Sequence, residues 1–573
     1  MIDAAILARR VHVAKGEAPG DLLLVGGRVV NVFTESIESA NLVIADGAIA
    51  GVGPFDFTAA ETIDVGGRVI APGLIDAHMH IESTLLTPAE LARLVVPHGT
   101  TAVIADPHEI GNVLGVRGIE QMVAASEGLP LDCLFMAPSC VPASPFENAG
   151  ATLDADAIAD LMQHDRVLGL AEMMNFPGVL AGDEEVLAKV AATLGRGGVV
   201  DGHSPGILDR DLIAYAAAGI RSDHECTTVE EAMQRAKLGM LVQVREGSMA
   251  RNLETLLPEI VAGRLGRWCL CTDDIHPGDL VRDGHIDSLL RRVIAAGVDP
   301  ATALRHATLI PAEHYGLRAR GVVCPGYVAD LVVFDNERDL DAQLVIKRGG
   351  IVARDGRYRF TGAVPGFPDE NTIHVGEIGE QRFVYPVTSQ PQPVIGIVPG
   401  QIVTTRESRT VREKDGRWVF DPAEDIAMVA CVHRHEPNGR VGIGLAAGFG
   451  FARHGALGSS VGHDAHNLMI AGTNARDMAA CVRALEASGG GFVVVSGGEV
   501  RAALPLPVAG LLSMEPADEV CRLQQAADEA AAGLGCTLHS PFGALSFLPL
   551  SVIPALRITD AGLFDVERFE LIG

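Results

Sequence analysis

No Cys-x-x-Cys pair occurs in the 573 residues, and the ten cysteines follow no regular spacing. That argues against a disulfide framework and for a reducing compartment, with the cysteines serving as small buried hydrophobes. No apolar run reaches the eighteen or so residues of a membrane span, although mean hydropathy is +0.25. Positive charge is scarce: 45 Lys+Arg face 73 Asp+Glu, a net charge of −28, and the pI is near 5.0. Such a field repels phosphate backbones and anionic lipid headgroups, so neither nucleic acid nor a membrane is expected as partner. In the first 21 residues Arg9, Arg10, His12 and Lys15 break up the apolar residues, leaving no signal-peptide core. The expected location is cytoplasmic. Neither an internal repeat nor a low-complexity tract is visible.

What is present suits a large folded chain. Hydrophobic residues make up 48% and charged residues 21%, and 65 Gly with 31 Pro imply many short loops. At roughly 100–200 residues per domain, the length predicts three or four domains, or one large barrel with attachments. Residues 21–72 read as short strands joined by Gly-Gly, Asp-Gly and Gly-Pro turns, and the same texture returns at 322–360. Two β segments flanking one long middle region suggest a single small β domain assembled from both ends.

Between them, apolar strand-like runs alternate with Ala- and Leu-rich helical stretches. The runs end at GLIDAHMH, TTAVIADPH, DCLFMAPSC, VLGLAEMMN, GVVDGHS, GIRSDHE, MLVQVRE and RWCLCTDD. Eight β/α units in about 250 residues is the size of a TIM (β/α)8 barrel, whose active sites form at the C-terminal strand ends. One linker helix is signalled by Thr87-Pro88 at its start and His98-Gly99 at its end. From about residue 366 the chain turns to Gly-rich, β-branched runs, enough for an extra α/β or α+β domain. The expected division is 1–72 (N-terminal segment and first part of the β domain), 73–321 (barrel), 322–365 (second part of the β domain) and 366–573 (C-terminal domain, a candidate active-site lid).

The strongest chemical signal is Asp76-Ala77-His78-Met79-His80 at the first strand end. Residues i and i+2 of a strand share a face, so the two imidazoles project together, as a metal requires. An HxH alone is weak among 19 histidines. Its partners strengthen it: Glu172 ends the fourth strand, His203 the fifth, His224 the sixth and Asp273 the eighth. Four imidazoles and two carboxylates exceed what one tetrahedral ion takes and suit two divalent ions. Nitrogen and oxygen donors without thiolate fit Mn²⁺, Fe²⁺ or Zn²⁺. Asp273 rather than Asp274 is the expected ligand, because it directly follows CLCT at the strand end. His80-Ile81-Glu82 satisfies half of the H-x-E/P-C-x-x-C signature of the zinc nucleobase deaminases, but no PCxxC exists, which excludes that class.

GLIDAHMHIES, GLAEMMN, DGHSPG, SDHECT and CTDDIHP together resemble the amidohydrolase superfamily, and the stretch from APGLIDAHMH to ADPHEIGNVLG resembles its bacterial adenine deaminases. The resemblance covers nearly the whole chain. It implies a metal-dependent barrel in which His78, His80 and Asp273 hold one ion, His203 and His224 hold the other, and Glu172 bridges them, with Mn²⁺ the first choice. Two departures matter. Glu172 stands where many relatives carry a carboxylated lysine, and His203-Ser204-Pro205-Gly206 lacks the HxxE of mononuclear deaminases. The implied reaction is hydrolysis of adenine to hypoxanthine and ammonia by a hydroxide shared between the ions, in purine salvage. Asp273 is the expected proton acceptor, and Glu109 the donor to the ring nitrogen beside C6. His108, oriented by Asp106, is a further catalytic candidate, although Asp106, His108 and Glu109 also read as a loop hydrogen-bond network. Glu82 and Arg245 are candidate purine contacts alongside Glu109 and Asp106. Their alternatives are a loop salt bridge for Glu82 and a barrel-rim ion pair for Arg245-Glu246.

In the C-terminal domain, His433-Arg434-His435 and His463-Asp464-Ala465-His466-Asn467 read as a lid or a hydrogen-bond cluster rather than a further metal site. A weaker reading lets the second segment reach the barrel mouth. The rival functions are another amidohydrolase, acting on a different aminopurine or a cyclic amide, and a non-catalytic assembly protein, which should have lost the ligands. Self-association is expected, a homodimer first, without a feature that fixes the copy number.

Overall fold

The computed structural model describes residues 3–368 and 370–572. Eight short parallel strands form the barrel: Leu74–Met79, Thr100–Ala105, Asp132–Ala137, Val167–Met173, Val199–Gly202, Ser222–Asp223, Leu241–Arg245 and Trp268–Cys271. The first five pair as one sheet and the last three as another. Arg221 N–H donates to Val200 O (3.0 Å) at one seam. At the other, Asp273 N–H donates to His78 O (3.0 Å) and His80 N–H to Asp273 O (3.2 Å). Strands buried on both faces need no polar alternation, which is why most of these sequences are largely apolar, as in Val167–Met173 and Trp268–Cys271. Gly202 marks a close approach: a Cβ there would stand 2.3 Å from Ser222 O. Backbone packing thus fixes the chain just ahead of His203.

Both flanks join one nine-stranded sheet. Leu331–Phe334 from the second flank pairs antiparallel with Val69–Pro72 from the first. The sheet is tied to the barrel through buried Lys347, whose Nζ donates to Thr101 O (2.8 Å), Asp132 Oδ2 (2.7 Å) and Asp330 Oδ2 (2.9 Å). The helix Pro88–Val95 opens with a Thr87 cap and Pro88 in its first turn, and Gly99 (φ +92°) ends the short 3-10 turn that follows it.

The C-terminal region is α+β. An eight-stranded sheet runs from Thr404–Arg409 at one edge to Glu499–Pro505 at the other, backed by the helices Ala475–Ser488 and Ala517–Gly533. Apolar packing continues from the barrel into this domain, with Leu86, Ile110, Phe449, Val508 and Leu512 in one cluster. Polar ties lock the docking: Ser513 N–H donates to Leu85 O (2.8 Å), Asn148 Nδ2 to Asp560 Oδ2 (2.7 Å) and Ser551 Oγ to Glu147 Oε1 (3.0 Å). All ten cysteines are unpaired and eight are buried. Among the described residues no helix is long and apolar enough to cross a membrane.

Candidate active site

The C-terminal strand ends converge on a buried set of imidazoles and carboxylates. His80 Nε2 lies 3.3 Å from Glu172 Oε1 and 3.1 Å from Asp273 Oδ1. On the opposite side Glu172 Oε2 meets His203 Nδ1 at 2.6 Å and His224 Nε2 at 3.2 Å. Each oxygen of one carboxylate therefore faces a different imidazole group. The His78 ring stacks on His224 with centroids 4.2 Å apart, and its Nε2 faces Asp273 Oδ1 at 3.4 Å without completing a hydrogen bond. Asp273 adopts φ +56°, a left-handed conformation that aspartate tolerates better than most residues. Its backbone there closes the barrel while its carboxylate turns inward.

The donor chemistry fits divalent cations. His78, His224 and Asp273 each offer a ligand atom within 4.8 Å of the others, as do Glu172, His203 and His224. Burial alone would keep these groups neutral, but their mutual attraction wins. Burial lowers His80, yet Asp273 and Glu172 raise it well above its usual value. His224 is likewise pushed up to about 9 against burial, chiefly by Glu172. Burial raises Glu172, but His203 and His224 bring it well below the carboxylate range. Without cations, protons on His80, His203 and His224 are favoured by the buried carboxylates, so metal loading there competes with protons.

His108 adds a fifth imidazole that the spacing of the strand ends did not assign to this cluster. Its Nδ1 donates to Asp106 Oδ2 at 3.1 Å and lies 3.6 Å from Glu172 Oε1. Glu109 lines the same cavity beside His108, whereas Asp106 and Glu82 do not, although Asp106 offers an oxygen within 4.8 Å of ligand atoms of His80, His108 and Glu172. Glu82 Oε1 accepts from Ile110 N (3.2 Å). Asp274 accepts from Ser83 Oγ. Arg245 reaches inward, but its guanidinium is engaged: Nη1 donates to Asp273 Oδ2 (2.8 Å) and Nη2 to Glu225 Oε2 (3.1 Å). Glu246 turns the other way, to Arg292 Nη1 (2.5 Å), so the two neighbours do not pair with each other.

Glu225 is the residue the sequence reading passed over. Its Oε1 lies 3.5 Å from His224 Nε2 and 3.7 Å from His203 Nδ1. Its signal was its place directly after His224 in SDHECT. Beneath it, Arg235 is fully buried. Its Nε donates to Asp223 Oδ2 (2.9 Å) and its Nη1 to Ile207 O (3.1 Å), pinning the loops that carry His203 and His224. Arg235→Met leaves the Asp223 carboxylate buried without its cation and is expected to cost about 3–5 kcal/mol in urea unfolding. A loss below about 1 kcal/mol would show that Ser204 and the Glu225 amide suffice for Asp223.

The cavity's far wall comes from the C-terminal domain. His463, Asp464, Phe547, Leu550, Val552 and Ile553 line it opposite the barrel residues. The His433-Arg434-His435 segment supports this loop from behind: His435 Nε2 bonds Ala465 O (2.7 Å) and Arg434 N–H donates to Asn467 Oδ1 (3.1 Å). A larger chamber of about 1030 Å³ adjoins through Met174, Glu225, Arg245, Ile402, Val552 and Ile553.

Residues 69–352 match the amidohydrolase family, and residues 401–570 match the adenine deaminase C-terminal domain. Over 574 aligned positions the chain is 49% identical to an adenine deaminase of Nitratidesulfovibrio vulgaris strain DP4, covering 98% of this chain and 97% of that one. It is 43% identical to one of Desulfatibacillum aliphaticivorans, each chain covered in full. An adenine deaminase of Methanothrix thermoacetophila is 46% identical, with 98% of each chain covered. With a metal-dependent barrel and this particular C-terminal domain joined in one chain and matched end to end, the chain belongs to the adenine deaminase family of the amidohydrolases.

Proposed function

We propose that the protein hydrolyses adenine to hypoxanthine and ammonia, using two divalent cations, Mn²⁺ before Fe²⁺ or Zn²⁺, as a cytoplasmic homodimer in purine salvage. The observation that carries this reading is Glu172, one carboxylate whose two oxygens face separate imidazole groups, as a bridge between two cations would. His78, His80 and Asp273 would hold one ion and His203 and His224 the other. When bound, the ions acidify water and offset charge developing at C6.

The chain's own residues then handle position and protons. Asp273, beside the reacting centre, accepts the proton of the attacking water and passes it to the departing amine. Glu109 gives a proton to the ring nitrogen next to C6 and recovers one from the hydroxyl left on C6 as the amine departs, so that hypoxanthine and ammonia leave and the carboxyl is restored. Burial first, then the charges of Glu82 and Asp274, raise its carboxyl well above the usual range, which favours the donor form. His108, oriented by Asp106, sets a positive edge toward the oxygen added at C6. Burial lowers its pKa, but Asp106 and Asp464 raise it well above the imidazole range. Arg245 fixes Asp273 and Glu225 rather than the purine.

The test is reconstitution of metal-free protein with defined equivalents of Mn²⁺, Fe²⁺ or Zn²⁺, followed by ammonia release from adenine, guanine, cytosine and a cyclic ureide. Activity should saturate at two equivalents and be confined to adenine. Saturation at one equivalent would remove the bridging role of Glu172. Turnover of the ureide with none of adenine would replace the substrate.

A further inference from the structure

Asp464 sits in the cavity wall that the C-terminal domain supplies, 3% exposed. Its loop is held rigidly: His463 N–H donates to Ser546 O (2.9 Å), the His463 ring stacks on Phe547 at 4.4 Å, and Asn467 Nδ2 donates to Asn148 O (2.9 Å) across to the barrel. Asp464 Oδ1 is 3.7 Å from His108 Nε2, and Oδ2 is buried with no hydrogen-bond partner. Among the described residues no lysine or arginine pairs with it. An unmet buried acceptor costs about 1–3 kcal/mol or more if charged, so this carboxylate is held at a cost that a bound donor would offset.

A free adenine carries two kinds of N–H. The exocyclic amine belongs to C6, the atom that reacts at the Glu172–Asp273 centre. The other is the single N–H of the imidazole ring, on the far side of the purine. Asp464 lies across one imidazole from the reacting centre, since His108 reaches Glu172 Oε1 at 3.6 Å with one ring nitrogen and Asp464 at 3.7 Å with the other. A purine laid alongside His108 with C6 at that centre turns its imidazole edge toward the C-terminal wall that carries Asp464. Neither His463 nor Asp464 borders the large adjoining chamber, so a substituent on that nitrogen would meet a closed wall.

We propose that Asp464 accepts a hydrogen bond from the imidazole-ring N–H of the bound purine, so that the C-terminal domain selects the free base over N9-substituted purines. The inference rests on the adenine reading above. Its test uses full-length, Mn²⁺-loaded wild type, Asp464→Ala and Asp464→Asn, each assayed on adenine and 9-methyladenine with metal content measured alongside. Wild type should prefer adenine by at least about 100-fold in kcat/KM, as sites built around a substrate N–H do. Asp464→Ala removes the acceptor and frees the carboxylate's volume. Adenine kcat/KM should fall about 100-fold and the preference shrink to within about tenfold. Asp464→Asn keeps the volume and a neutral acceptor, so it should lose about tenfold on adenine and keep the preference. Equal losses on both substrates in either variant, with metal retained, would overturn the proposal and leave the adenine reading intact. A wild type that releases no ammonia from adenine would instead bring down both.

Discussion

Asp273→Asn should release no measurable ammonia from adenine, a loss of at least about 10³-fold in kcat, while retaining its metal. The substitution keeps shape and removes charge at the residue with most demands upon it. Oδ1 faces His80 at 3.1 Å and His78 at 3.4 Å, and Oδ2 accepts from Arg245 Nη1 at 2.8 Å. An amide cannot serve both sides: with its oxygen toward the imidazoles, its NH2 meets the Arg245 donor head-on. Burial would raise the Asp273 carboxyl, but His78, His80 and Arg245 hold it well below the usual range. It is thus an anion throughout the neutral region, a weak base that moves a proton only a short distance. The remaining imidazoles and Glu172 leave enough ligands for the cations, so metal analysis separates the two roles. Wild-type activity would remove Asp273 from proton transfer, and joint loss of metal and activity would reduce it to a ligand.

The barrel was legible in the sequence because its physics is local. Most strands are buried on both faces and largely apolar, and polar residues gather at or just after their C-terminal ends, so the eight strand ends could be counted, and Glu172, His203, His224 and Asp273 fell at four of them. The composite β domain was legible from texture, since hairpin turns recur at both flanks. What stayed hidden depends on side-chain direction and on distance along the chain. Arg245-Glu246 reads as an adjacent ion pair, yet neighbours at a strand end point to opposite faces, so Arg245 reaches Asp273 and Glu246 reaches Arg292. Glu225 follows His224 immediately, and only the turn after a two-residue strand brings its carboxylate back to the same imidazoles. Asp464 approaches His108 from more than three hundred residues away, through a docked domain whose polar ties run to Asn148 and Glu147. No periodicity encodes that approach. The sequence suggested that the segment reaches the barrel mouth, but not which of its atoms would arrive without a partner.

Glu109→Gln should lower kcat/KM for adenine by about 10²–10⁴-fold, the usual contribution of a positioned proton donor, with little change in thermal stability. Glu109 is 1% exposed. Its Oε1 is 3.3 Å from Ser83 Oγ and 3.3 Å from His463 Nδ1, while Oε2 is buried without a partner. Glutamine preserves those contacts and can offer an N–H to the ring nitrogen, but it cannot release a proton. The direction of the pH effect follows from the raised carboxyl. The protonated form is the active one, so wild-type kcat/KM should hold on the acid side and fall as pH rises through the elevated pKa. The glutamine variant has no such group and should lose that limb of the profile along with the rate. Near-normal turnover with a lowered melting temperature would instead assign Glu109 to the Ser83–His463 hydrogen-bond network. The proton for the purine nitrogen would then have to come from another group lining the cavity, with the imidazoles of His463 and His108 the first candidates.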